Sequence, residues 1–241
     1  MTVWWSRTIL MFAVLAFALL PAGALGTRFG LWHFGTGIQM LMASAFLAAV
    51  VFLLGLVCWF IANGRGLSGD RSALTMAIIL SVVIGGIMIP PVMAAFSVPQ
   101  IHNISTDVND PPAFDQLVAA RGDDSNPLPY DAATLADQQQ AAYPDVQSLE
   151  LSSAPAATLE QAASALAEMG LEVVNRDPAA GIVEAVATSF WFGFKDDLVV
   201  RIRPTAAGGS LVDVRSVSRV GRSDLGANAK RISTLLGKLG A

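Results

Sequence analysis

Residues able to do chemistry gather on one side of two adjacent strands. Between Leu198 and Arg203, the aliphatic residues Leu198, Val200 and Ile202 alternate with Val199, Arg201 and Arg203. Between Leu211 and Val220, Val212 and Val214 alternate with Asp213, Arg215, Val217 and Arg219. Period-two alternation sends each set to one face. Burial of the aliphatic set fixes the parity, because a slip of one residue would bury the charges. Register stays open. One even-step pairing sets Arg201 opposite Asp213. The next sets Arg203 opposite Asp213 and Asp197 opposite Arg219, with Arg201 against Arg215. Both put Arg201, Arg203 and Arg215 on one polar face, with Asp196, Asp197, Arg219, Arg222, Asp224 and Asn228 at its margins.

Planar guanidinium forks suit bidentate recognition of oxyanions. The ligand-binding candidates are therefore Arg201, Arg203, Asp213, Arg215, Arg219, Arg222, Asp224 and Asn228. The bland alternative is a solvated face with cross-strand ion pairs worth up to about 1 kcal/mol each. A ligand site predicts that Arg215→Ala abolishes binding and leaves the melting temperature almost unchanged. A hydrolase would instead use Asp213 or Asp224 as acid or base. Nothing matches a nucleophile elbow or a Walker loop. His102 is the only imidazole after the apolar N-terminal region, and Cys58 is the only cysteine. No intrachain disulfide, metal site or cofactor is expected. Asn103-Ile104-Ser105 fits a glycosylation sequon.

The elements that position these residues are legible from about residue 158. Thr158, with Gln161 three residues on, reads as the cap of a helix burying Leu159, Ala162, Ala163, Leu166 and Met169 and ending at Gly170. Strands follow at Leu171–Arg176, Ile182–Thr188, Leu198–Arg203 and Leu211–Val220. Phe190-Trp191-Phe192-Gly193-Phe194 is assigned to the core, because aromatic side chains dominate small cores. Asp224 caps a last helix with Ala229, Ile232, Leu235, Leu236 and Leu239 on its buried stripe. The order α-β-β-β-β-α predicts a four-stranded antiparallel sheet with two helices on one face.

Residues 101–157 are acidic. Asp107 to Glu150 holds nine Asp and Glu and one basic residue, Arg121. Periodicity is poor, which fits a flexible linker. Ile101, Ile104, Phe114, Leu117, Tyr130, Tyr143, Val146, Leu149 and Leu151 nevertheless recur. The segment is expected to be mostly extended and to pack on the domain of residues 158–241.

Residues 1–100 differ in kind: four Arg, one Asp and no Lys. Three uncharged apolar runs, about 8–25, 37–61 and 73–96, are each long enough to cross the ~30 Å hydrocarbon core as a helix. Trp4, Trp5, Trp32 and Trp59 lie near their ends, where indoles favour the interface. The first run, ending in Ala22-Gly23-Ala24, reads as a cleaved signal or as an uncleaved helix. The two tryptophans before Arg7 favour the helix. Pro90-Pro91 is expected to kink or end the third helix, and Gly85-Gly86 to allow close packing. With the N-terminus inside, Arg7, Arg65 and Arg71 face the cytoplasm and Arg28 faces out, which puts the C-terminal domain outside the cytoplasm.

Several stretches are distinctive: Ile101 to Asp107 with Asn109 to Phe114; Glu184-Ala185; Phe190 to Asp197; Asp213 to Ser216 with Ser218 to Gly221; and Asp224 to Ala229 with Arg231-Ile232. Together they resemble a bacterial and plastid family catalogued as a domain of unknown function, number fourteen ninety-nine. The resemblance covers residues 100–240. It implies that Ile101 to Leu151 belongs to the domain, and it brings no activity or catalytic residues.

The chain thus reads as a membrane-anchored α+β protein. Its C-terminal domain would bind an anionic small ligand or an envelope protein at the outer face of a bacterial inner membrane. Twelve Arg against three Lys is the usage of a GC-rich bacterium. The lipid bilayer is a partner, and nucleic acid is not, because phosphate neutralisation needs clustered cations. The rivals are a membrane-anchored hydrolase acting on an envelope substrate and a structural subunit of a membrane complex.

Overall fold

The computed structural model describes residues 4–241. Two compact units divide it, one of residues up to 93 with 190–193, the other of 94–189 with 194–241.

The first unit holds α1 (Trp4–Arg28), α2 (Phe34–Gly64) and all but the last turn of α3 (Ser68–Ser97). All three are long and apolar enough to cross a membrane. They outrun the uncharged stretches because backbone groups stay paired past the last apolar residue. Glycines bring α1 and α2 together. A Cβ on Gly37 would stand 2.5 Å from the Gly23 carbonyl oxygen, and one on Gly26 would stand 2.0 Å from the Trp32 ring. Ser44 donates across the pair to the Ala16 carbonyl at 2.6 Å. Close packing thus falls at Gly23, Gly26 and Gly37, whereas Gly86 has nothing near it. Pro90 and Pro91 do not end α3, which runs on to Ser97. In an apolar setting a helix still pairs more backbone groups than any irregular alternative.

The second unit is a six-stranded antiparallel sheet, not the four-stranded one expected. β3 (Glu172–Asp177), β4 (Ile182–Thr188), β5 (Lys195–Pro204) and β6 (Ser210–Ser218) form the predicted meander. The two further strands, β1 (Asn103–Ser105) and β2 (Leu149–Leu151), come from the acidic segment and pair with opposite ends of β6. Three residues are too few to show an alternation. The same segment also folds into α4 (Gln116–Ala119) and α5 (Ala132–Ala142), so it is less extended than expected.

α6 (Pro155–Glu168) and α7 (Ala227–Leu239) pack on one sheet face. Their Leu159, Ala162, Leu166, Ile232 and Leu235 share a core with Val183, Ala185, Leu198, Val200, Ile202, Val212 and Val214. Ile101, Ile104 and Val146 of the acidic segment join it. α6 starts at Pro155, a residue whose missing N–H costs nothing in a first turn. Thr158 is therefore inside the helix and not its cap; its hydroxyl meets that of Ser210 at 3.0 Å. The β3–β4 turn needs Gly181, at φ +69°, because a Cβ there would sit 2.3 Å from the Ile202 carbonyl oxygen. The aromatic stretch is not core. Phe190 is 73% exposed and Trp191 58%, in the turn between β4 and β5.

Candidate functional site

β5 and β6 pair with Arg201 opposite Asp213. This selects the first of the two registers. Leu198, Val200, Ile202, Val212 and Val214 face the helices. Asp197, Val199, Arg201, Arg203, Asp213, Arg215 and Val217 therefore share the opposite face. Glu184 of β4, opposite Val199, joins them.

This face is not solvated. Residues 107–128 cross it as a strap, and Glu184, Asp197 and Asp213 are fully buried. Each carboxylate has its own donors. Glu184 accepts the Asp115 and Gln116 backbone N–H groups at 2.7 and 2.8 Å and the Asn175 amide at 3.0 Å. Asp197 accepts Arg219 through Nε and Nη2, at 3.0 and 2.8 Å, and also pairs with Arg121. Asp213 accepts Arg201 at 3.0 Å, Arg203 at 2.7 Å and the Ser148 hydroxyl at 2.5 Å. Buried charge survives only when matched in this way.

Arg215 is bound mainly by neutral oxygens. It donates to Asn103 Oδ1 at 3.0 Å and to the carbonyls of Pro112 and Leu128, and its guanidinium lies 5.4 Å over the Phe114 ring. Burial pulls its pKa down to about 10, so it stays cationic at neutral pH. Burial also pushes the neighbouring Tyr130 hydroxyl up to about 12. Asn103 is buried against Arg215 and so offers no glycosylation site.

Asp224 and Asn228 lie apart from this face, at the start of α7. Asp224 accepts the backbone N–H groups of Gly226 and Asn228 at 2.9 and 2.7 Å, while Gly226, at φ +81°, takes the N-cap position expected for Asp224. The buried Asn228 donates to the His102 carbonyl at 3.1 Å and accepts from the Ser216 hydroxyl at 2.7 Å. Arg231 pairs with Asp196 on the helix side of the sheet. Arg222 is exposed. The eight predicted residues thus split between the strapped face (Arg201, Arg203, Asp213, Arg215, Arg219), the α7 end (Asp224, Asn228) and solvent (Arg222). Sequence reasoning missed Asp107 and Asp110, whose carboxylates lie 3.5 and 2.9 Å from Arg201, and also Arg121, Ser148 and Glu184. Arg121, alone among nine acids, was the readable signal.

Burial drives His102 below its usual 6.5, against an imidazole bond to the Arg222 carbonyl and the Asp224 charge, which pull the other way. Burial raises Asp224 above its usual 3.8. For His102 the unfolded chain takes the proton first. Its contribution to stability is present above pH 6.5 and is lost as pH falls from there through the lower folded value. Urea midpoints of His102→Gln should fall less than wild type between neutral and mildly acidic pH; an identical fall would contradict this.

A cleft of about 400 Å³ opens beside α7, lined by Val98, Tyr143, Leu225, Gly226 and Lys230 among others. The Tyr143 hydroxyl is buried, and burial raises its pKa.

Three apolar helices long enough to cross a membrane, followed by a helix-backed antiparallel sheet whose second face is strapped, define an α+β architecture. The chain belongs to the family described as Protein of unknown function (DUF1499), whose model matches residues 103–239. The match runs from the first residue of β1 to the last of α7, so strap and sheet fall in one family unit. No curated protein matches the chain.

Proposed function

We propose that the chain is an integral protein of a bacterial inner membrane. Its C-terminal domain stands on the periplasmic side and acts as a non-catalytic binding domain. It engages an anionic group of a small ligand or an envelope partner at Arg201 and Arg203. The membrane assignment is supported by the three helices, and the side by the Arg distribution around them.

One observation carries the binding reading. Asp110, with its side chain 68% exposed, lies across the outer edge of both arginines, 2.9 Å from Arg201 and 3.6 Å from Arg203. A carboxylate of the chain thus occupies the position an incoming anion would take. Asp213 holds the same two arginines from below, which pre-orients their forks. Arg203 is the reachable partner, with a side chain 40% exposed. The hydrolase reading gains nothing here, because Asp213 and Asp224 are both committed to holding the fold.

The test uses inorganic phosphate as a minimal anionic probe, by titration calorimetry of the full chain in mild detergent. Asp110→Asn should bind it more tightly than wild type, and Arg203→Ala should lose it. Equal binding by all three would remove the site from consideration.

A further inference from the structure

The end of the sheet at which the chain enters from α3 carries exposed aromatic and cationic side chains that the anion-binding reading leaves unused. Strand register locates this end. Thr188 pairs with Lys195, and Asp196 pairs with Ser218. The Ser218 N–H reaches the His102 carbonyl at 3.0 Å, and the Arg219 N–H reaches the Lys195 carbonyl at 2.9 Å. The β4–β5 turn, the β6–α7 connection and the chain arriving from α3 therefore all emerge at one end. The β5–β6 turn around Ala206 lies at the other, beyond the pairing of Pro204 with Ser210.

The chain reaches that end quickly. α3 stops at Ser97 and β1 begins at Asn103, with no charged residue from Ser72 through Ile101. The six steps from Ser97 to Asn103 span at most about 22 Å. If α3 crosses the bilayer, this sheet end lies within that distance of the helix terminus.

Its surface chemistry fits a lipid–water boundary. Phe190 and Trp191 project from the β4–β5 turn, packed edge to face with centroids 5.2 Å apart and both mostly exposed. Leu225, exposed in the β6–α7 connection, holds a φ of +54° that branched residues rarely adopt. Lys195 at the start of β5, Arg222 in the β6–α7 connection and Lys230 in α7 stand exposed. Aromatic rings settle at the depth of headgroups, and neighbouring cations meet lipid phosphates.

We infer that this end of the domain is a membrane-contact surface, with Phe190, Trp191 and Leu225 inserted at the bilayer interface and Lys195, Arg222 and Lys230 against anionic headgroups. The inference rests on the reading of α1–α3 as membrane-spanning. Its occupant is the bilayer that holds those helices. The contact orients the domain relative to the lipid, which a five-residue tether alone would not do.

The test places an environment-sensitive NBD label on single cysteines in the full chain, in a Cys58→Ser background, reconstituted into phosphatidylcholine vesicles containing lipids spin-labelled near the headgroup. Labels at Phe190→Cys and Trp191→Cys should shift to the blue and lose emission, while Ala206→Cys should do neither. Replacing part of the neutral lipid with phosphatidylglycerol should deepen the loss at Phe190→Cys. A label at Leu53→Cys in α2, read with lipids spin-labelled deep in the acyl chain, reports the helices themselves. Quenching at Leu53→Cys without quenching at positions 190 and 191 would overturn the contact surface and leave the anchor standing. No quenching at Leu53→Cys would overturn the anchor and the inference with it. Equal quenching at Ala206→Cys would also refute it, as would indifference to anionic lipid for the cationic part.

Discussion

Replacing Arg215 with alanine should unfold the domain at a much lower temperature, even with no ligand present. Three acceptors now bonded to the guanidinium, Asn103 Oδ1 and the Pro112 and Leu128 carbonyls, would lose their donor in a buried place. An unsatisfied buried polar group costs about 1–3 kcal/mol, and the three losses are not additive. The relief of no longer burying a cation offsets part of this. A net loss of about 3 kcal/mol is expected, or a fall in melting temperature of roughly 10 °C for a chain of this size. Arg215→Lys keeps the charge but cannot reach three oxygens from one fork, and should recover less than half. Thermal unfolding of the full chain in mild detergent, followed by circular dichroism, measures this. An unchanged melting temperature would return Arg215 to the role its position in the sequence first implied, a ligand contact on an open face.

Asp197→Ala should be as damaging for the opposite reason. Asp197 is fully buried and is the shared counter-ion of Arg121, which arrives from the strap, and Arg219, which follows β6. Its removal leaves two guanidinium groups facing each other beside Val186, Val199 and Val217. Leaving a buried charge without its partner costs about 3–5 kcal/mol. Because Arg121 is the strap's ion pair to this carboxylate, the strap should loosen first, and backbone amides around Asn126 should exchange faster. Removing Arg121 as well should restore part of the loss, since the repulsion it contributes disappears, and a double-mutant cycle isolates that term. Simple additivity of the two single losses would contradict a shared buried carboxylate.

Much of this arrangement was legible in the residues. The alternation of Leu198, Val200 and Ile202 with Arg201 and Arg203 set the parity of β5, and Val212 and Val214 did so for β6. Register was not legible, because both even-step pairings bury the same aliphatic groups. The side chains of the strap decide it, through Arg121 on Asp197 and Asp110 on Arg201. β1 and β2 were invisible because three residues carry no period. Glu184 was lost because it sits between Val183 and Ala185 in a strand that reads as apolar, while two of its three donors are backbone N–H groups more than 60 residues away. Phe190 and Trp191 misled for another reason: composition marks aromatic residues for a core, and only their place between two strand ends puts them in a turn. The packing of the acidic segment on the domain was expected, but not that it covers the charged face, because neither its poor periodicity nor its charge names a face.

If the three helices span a membrane, the side on which the strapped sheet stands governs every ligand and partner it can meet. Paired reporters fused after Ala241, one active only in the periplasm and one only in the cytoplasm, measure it directly. The periplasmic reporter should be active and the cytoplasmic one silent. A silent periplasmic reporter beside an active cytoplasmic one would contradict that placement.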